Sequence, residues 1–368
     1  MKSKLIAFLT ILIVGWGPKA VAQSENTAEQ AVTLAVGDPA PALTYAKWYK
    51  GAPVHQFESG HIYVVEFWAT WCGPCRMAMP HLSELAEKYR DQVTVIGFNV
   101  RENSDPDDPS EQYLGKVDQF VTAIGEGMDY SVAVDVPGQK TWRDWMVASG
   151  QRGIPTTFVV DAEGKIAWIG HPFGGLDLVI DQMLKGGVPD ADKITEQATG
   201  RNQYLKDIQA RFFALTKEGK YQEAFELGQE IVEKVHMGKA IFAVSAYDAL
   251  KEVDPERADQ YLRGLVPMFS NDPMNLQTLA QTLIDRENPR ERRLATIAID
   301  RSLEKSSDSD SFVHNLAASI HFKAGNIKRA IALQERTIEI VQRGENTSRK
   351  DAAIEGAKEL LEKYKAAL

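Results

Sequence analysis

Apolar and polar positions divide the chain into two unlike stretches. Between residues 34 and 187 short apolar runs alternate with amphipathic ones. Ile62–Trp68 is apolar apart from Glu66 and reads as a buried strand. A helix is expected over residues 72–89, its apolar side including Met79, Leu82, Leu85 and Ala86. Residues 93–100 form the next strand, and Asp105-Pro106-Asp107-Asp108-Pro109 breaks the chain before a helix over 111–124. A short strand at 131–134 and a helix at 142–148 continue the alternation. Thr156–Val160 and residues 165–169 flank Asp161-Ala162-Glu163-Gly164, a hairpin signal with glycine in the turn, and a helix over 176–185 follows. Such alternation implies an α/β domain over residues 34–187, built on a largely parallel sheet covered on both faces.

Beyond a linker at 188–198 strands disappear, and every strong pattern over 199–368 has the helical period. Gly219-Lys220-Tyr221-Gln222-Glu223-Ala224 is echoed by Gly325-Asn326-Ile327-Lys328-Arg329-Ala330. Weaker echoes place Ala258 and Ala295 between them, so the spacings from Ala224 to Ala330 run 34, 37 and 35 residues. This resembles the tetratricopeptide family, in which helix pairs repeat with a period near 34 and each buries a face on the next. Glycine would end the first helix of a pair, and alanine would let the second approach closely. The tryptophan and proline of that family's consensus are not at matching positions, which leaves a generic bundle of antiparallel helices as the plainer reading.

Residues 1–22 carry Lys2 and Lys4, an apolar run at 5–14, then Ala20-Val21-Ala22. That is the pattern of a secretory signal with an A-x-A cleavage site. The run is short of the roughly 20 residues that span a bilayer, and Pro18 and Lys19 interrupt it. A polar, flexible lead at 23–33 would follow. The expectation is an exported protein, periplasmic or otherwise extracytoplasmic, soluble once the signal is cleaved. The whole chain of 368 residues carries a formal charge of −9. Removing Lys2, Lys4 and Lys19 leaves 39 basic against 51 acidic residues, near −12. Nucleic-acid binding needs a basic face and is not expected.

Export sharpens the reading of the cysteines. Exported chains with structural disulfides usually scatter several along the sequence. Here there are two, Cys72 and Cys75. A bridge closing so short a loop removes little unfolded-chain entropy, so chemistry explains the pair better than stability. The thiolate is the form that attacks a disulfide. With Cys72 as the first helical residue, unpaired backbone N–H groups and the helix dipole favour its negative charge, which makes it the candidate nucleophile. Cys75, one turn later on the same face, is placed to resolve a mixed disulfide. Pro74 fits early in a helix, where its missing N–H is not required.

Glu66-Phe67-Trp68-Ala69 followed by Trp71-Cys72-Gly73-Pro74-Cys75 resembles thioredoxin, and Arg76 with Met79-Pro80-His81-Leu82 resembles the exported TlpA and ResA branch. Gly153-Ile154-Pro155-Thr156 is similar to that family's second hallmark, a cis-proline loop facing the dithiol. The resemblance covers residues 34–186 and implies a thioredoxin fold, a mixed sheet flanked by helices. It implies that Pro155 is cis, that the Ile154 backbone pairs with an incoming substrate strand, and that Trp71, Gly73 and Pro74 complete the substrate contact. It gives Glu66 the role of proton acceptor for Cys75, and an acid within an apolar strand should have a raised pKa suited to that task. The plainer reading of Glu66 is a carboxylate at a strand end facing solvent. No cofactor beyond the Cys72–Cys75 disulfide is implied. The expected activity is reduction of protein disulfides, with electrons arriving through a membrane thiol reductase. One departure stands out: ResA-like proteins place a glutamate three residues after the second cysteine, where this chain has Ala78.

Other candidates are weaker. Trp68 and Trp71 read as rims that shape and cover the site. Zinc on Cys72, Cys75 and His81 fails on ligand number and geometry. His314 and His321 read as ordinary face residues of one helical stripe. Two rival functions remain at this level: a protein-interaction scaffold whose helical half binds a partner, and a disulfide oxidase or isomerase that differs only in redox direction.

Overall fold

A computed structural model describes residues 32–102, 110–235, 238–343 and 350–368. The expected signal at 1–22, residues 23–31 of the lead and the chain breaker at 105–109 lie outside them. Of the lead, Thr33 is tied down, its N–H donating to the Ala148 carbonyl at 2.8 Å.

Among the described residues six strands form one sheet: β1 (Tyr45–Lys50), β2 (Ile62–Trp68), β3 (Val93–Asn99), β4 (Ser131–Asp135), β5 (Thr156–Val160) and β6 (Ile166–Gly170). Their order is β1-β4-β3-β2-β5-β6; β2, β3 and β4 are parallel, and β1, β5 and β6 join antiparallel. Strand β1 has no counterpart in the sequence reading. It is an edge strand whose side chains are nearly all half-buried, so Tyr45–Lys50 shows no alternation to detect.

β2 lies at the middle of the sheet and is buried throughout. Successive side chains point to opposite faces. Ile62, Val64 and Trp68 pack with α1 (Gly73–Lys88), α2 (Tyr113–Ile124) and α3 (Leu176–Leu184); Tyr63, Val65 and Phe67 pack on the other face with Phe98, Trp145 and Phe158. Residues 142–147, expected as α-helix, wind as a π-helix, Trp142–Val147. Its first N–H groups are collected by Asp135 at the end of β4, which accepts from Thr141 and Trp142.

The expected linker at 188–198 is corrected. Asp190 caps a helix by accepting from the Lys193 N–H, and α4 (Ala191–Lys217) begins there. Ile194 belongs to the hydrophobic core beneath the sheet, and Arg201 pairs with Asp177 of α3 at 2.6 Å. Ile194 and Ala198 are the apolar face of a helix docked on the α/β half, which is why the segment is ordered.

Among the described residues eight further helices follow: α5 (Tyr221–Lys234), α6 (Lys239–Val253), α7 (Pro255–Met268), α8 (Pro273–Ile284), α9 (Pro289–Glu304), α10 (Ser311–Lys323), α11 (Ile327–Arg343) and α12 (Lys350–Lys365). The second helices of successive pairs, α5, α7, α9 and α11, carry Ala224, Ala258, Ala295 and Ala330, all essentially without exposure. Gly219 and Gly325, with φ of +74° and +84°, take the left-handed conformation that ends α4 and α10. The spacing read from the sequence therefore corresponds to real helix pairs sharing one core.

Candidate functional site

β2 ends at Trp68, and the chain turns through Ala69, Thr70 and Trp71 into α1. Cys72 is the N-cap, one position before the first helical residue expected of it, with extended backbone (φ −83°, ψ 99°). Its Sγ accepts from the Cys75 N–H at 3.2 Å, so an unpaired donor of the first turn points at the sulfur. Pro74 occupies the first turn, where no donor is lost. The two cysteines are bonded to each other, with Cα atoms 5.3 Å apart. Exposure distinguishes them: Cys72 retains 4% and Cys75 none. Cys72 is thus less open than expected, but of the two cysteines it is the one with any exposure.

The Ile154–Pro155 peptide is cis, and the Ile154 carbonyl oxygen lies 3.7 Å from Cys72 Sγ. Trp71 is 55% exposed beside the cysteine, its indole N–H donating to the Arg101 carbonyl at 2.9 Å. Trp68, expected as a second rim, is instead fully buried against Phe120. A Cβ on Gly73 would meet nothing within 4 Å, so the backbone beside the dithiol is open to a close approach. Ala78 has no exposure and belongs to the core beneath the dithiol.

Glu66 lies inside the sheet, not at a solvent-facing strand end. It is fully buried, opposite Gly97 of β3 and Thr157 of β5, on the face shared with Trp68 and the dithiol helix. Neither carboxyl oxygen has a hydrogen-bond partner among the described residues. Burial pushes its pKa well above the ordinary carboxylate value. Trp68 Nε1, the Tyr130 hydroxyl and the Thr157 hydroxyl are also buried without partners. A glycine makes room here: a Cβ on Gly97 would sit 2.8 Å from the Tyr130 ring, 3.1 Å from Met128 and 3.2 Å from Trp68 Nε1. Gly97→Ala is therefore expected to destabilise the protein by about 1–3 kcal/mol, read as a lowered denaturant midpoint at unchanged m-value. An unchanged midpoint would mean that the two rings and the methionine part freely.

One supporting residue escaped the sequence reading. Glu102, three residues past the end of β3, accepts from the Thr70 N–H at 2.6 Å, the Thr70 hydroxyl at 2.8 Å and the Asn99 amide at 2.8 Å. Lys116 of α2 pairs with it at 3.0 Å. Its side chain is almost wholly buried, and it clamps the residue two before Cys72. The signal available in sequence was only a lone acid 30 residues beyond the motif.

His81 packs in α1 against Phe173. His314 and His321 lie on the buried face of α10: His314 Nδ1 bonds the Asp310 carbonyl and His321 Nε2 bonds Asp300 at 3.1 Å. Among the described residues no three His, Cys, Asp or Glu side chains converge to hold a metal ion. No described helix is long and apolar enough to cross a membrane.

Residues 36–169 match the AhpC/TSA family. Protein FixW of Rhizobium leguminosarum is 34% identical over 180 residues, which is 48% of this chain and 74% of that protein. Thiol:disulfide interchange protein HelX of Rhodobacter capsulatus is 31% identical over 168 residues, 45% of this chain and 85% of HelX. A solved thioredoxin-like protein in its oxidized form aligns over 41% of this chain and 97% of its own, at 24% identity and a TM-score of 0.33. By its sequence match to these relatives, the chain belongs to the AhpC/TSA thioredoxin-like family.

Proposed function

We propose that this thiol-disulfide oxidoreductase works outside the cytoplasm in the reducing direction, passing electrons from Cys72 and Cys75 to disulfides of other proteins. The observation that carries the reading is the N-cap dithiol, in which only Cys72 reaches the surface, beside the Ile154 carbonyl and the exposed Trp71 ring. The Cys72 thiolate attacks one sulfur of the substrate disulfide; that S–S bond breaks, and the departing substrate thiolate takes a proton. Cys75 then loses its proton to Glu66 and attacks Cys72 Sγ, releasing the second substrate thiol and closing the Cys72–Cys75 bond. Two electrons have moved from the dithiol to the substrate. Burial raises the Glu66 carboxyl above its ordinary value and so makes it a stronger proton acceptor than a solvated carboxylate, which supports Glu66 in this role.

The signal-like residues 1–22 support export. The resemblance to the TlpA and ResA branch supports reduction and a membrane thiol reductase as the electron source, with no cofactor beyond the dithiol. The tetratricopeptide-like spacing of the helical half supports a role in choosing the substrate protein.

Equilibration of the full chain with glutathione tests the direction. A reductase is expected near the thioredoxin value of about −270 mV, whereas an oxidase would sit near about −120 mV. A value at the oxidising end would overturn the reducing assignment while leaving the dithiol chemistry intact.

A further inference from the structure

Arg76 directly follows Cys75 and sits one turn along α1 from Cys72, its N–H donating to the Cys72 carbonyl at 3.1 Å. Its charge is not left to solvent. The guanidinium Nη1 lies 2.7 Å from Asp310 Oδ2, with the two side chains only 13% and 11% exposed. Asp310 comes from the helical half, 234 positions along the chain. Its two oxygens divide the work: Oδ1 accepts from the Phe312 and Val313 N–H groups and caps α10, while Oδ2 takes the arginine.

Fastening the two halves does not require this pair. Ile194 packs in the α/β core, Arg201 pairs with Asp177, and Lys239 pairs with Glu84 at 3.3 Å. A nearly buried ion pair is also weak as a source of stability, because desolvation offsets most of the attraction. Its position is what separates it from the other ties. The backbone that carries the arginine is one turn from Cys72, and a positive charge near a cysteine sulfur favours the thiolate, stabilises the reduced dithiol and makes the centre more oxidising. A carboxylate seated on that charge cancels the effect, and does so strongly where solvent screening is slight.

We infer that Asp310, supplied by the helical half, is a positioning residue of the redox centre that neutralises Arg76 and thereby holds the reduction potential of Cys72–Cys75 down. The inference rests on these cysteines being the exchanging dithiol. It makes the helical half part of the redox machinery as well as a surface for partners. Anything that draws the loop before α10 away from α1 would release the arginine charge and raise the potential.

The test uses the full chain equilibrated with glutathione. Asp310→Asn keeps a capping oxygen for α10 and removes the charge. It is expected to shift the equilibrium about tenfold toward the reduced dithiol, which is about 30 mV for a two-electron couple. Arg76→Gln leaves the carboxylate uncompensated and is expected to move the potential the opposite way, and the double variant to return close to the parent. Opposite signs are the diagnostic, since a loosened structure would move both variants alike. Shifts of one sign, or no shift in either variant, would overturn the inference. Failure of the parent itself to exchange with glutathione would instead remove the dithiol reading on which it rests.

Discussion

Replacing Cys72 with serine is expected to reduce insulin-disulfide reduction to the uncatalysed background, whereas Cys75→Ser should stop the reaction one step later. The difference follows from where the sulfurs sit. Cys72 is the N-cap of α1, with the Cys75 N–H directed at its sulfur and a trace of exposure, while Cys75 is sealed in the core beneath. A serine at 72 offers no nucleophile of comparable reactivity to a substrate disulfide. A serine at 75 leaves the first attack intact and removes the group that resolves it, so a covalent mixed disulfide should accumulate and appear as a mass adduct under non-reducing conditions. Retained turnover in Cys72→Ser, or an adduct on Cys75 in Cys72→Ser, would reverse the assignment of attacker and resolver.

Glu66 carries the second large expectation, and it concerns both rate and pH. Glu66→Gln should slow turnover by about 10²-fold, the lower end of what a positioned proton-transfer group contributes, with the deficit in resolution by Cys75, not in the first attack. Stability should move the other way. In the folded protein burial raises the carboxyl well above its ordinary value of 4.5, so the folded state keeps a proton that the unfolded chain has released. Wherever the unfolded state binds fewer protons, stability falls as pH rises. The loss begins near the unfolded value and continues through the folded one. Asp135 adds a slope of the same sign at lower pH, because burial outweighs its backbone hydrogen bonds and pushes it from 3.8 up to about 6. Asp135 and His171, which is lowered from 6.5 by burial, have both finished titrating by about pH 7.5, so denaturation above that pH isolates Glu66. There the parent should lose stability with pH while Glu66→Gln stays flat, and Glu66→Leu, which buries no unpaired polar group, should be about 1–3 kcal/mol more stable than the parent at pH 8. Equal slopes in parent and variants would show that Glu66 is ionised in the folded state.

The parts of this protein that local patterning specifies were visible in the chain. A continuous apolar run makes β2, a proline two residues after Cys72 tolerates a helix start, and glycine before a charged amphipathic stretch ends one helix and opens the next. Each depends on neighbours within a few residues, and the spacing from Ala224 to Ala330 repeats such a local unit. The dithiol site was readable for the same reason, since Trp71 to Cys75 occupy one turn.

Other features depend on what a distant segment supplies. Nothing in Tyr45–Lys50 marks an edge strand until β4 offers it a partner. Residues 188–198 look like a linker until Ile194 finds an apolar socket under the sheet. Glu102 is an unremarkable loop acid until the end of β3 brings it against Thr70, and the stripe of His314 and His321 does not show its burial until helices close over it. Glu66 could be named from its place before Cys72, but its burial without a partner comes from β3 and β5 pairing on either side. Cys72 and Cys75 alone announce the exchange chemistry, because a motif of four residues contains its own geometry. The charge environment of that motif is a property of the assembled fold: Asp310 reaches Arg76 only when the helical half packs beside α1, and electrostatic coupling depends on distance in space, not on separation along the chain.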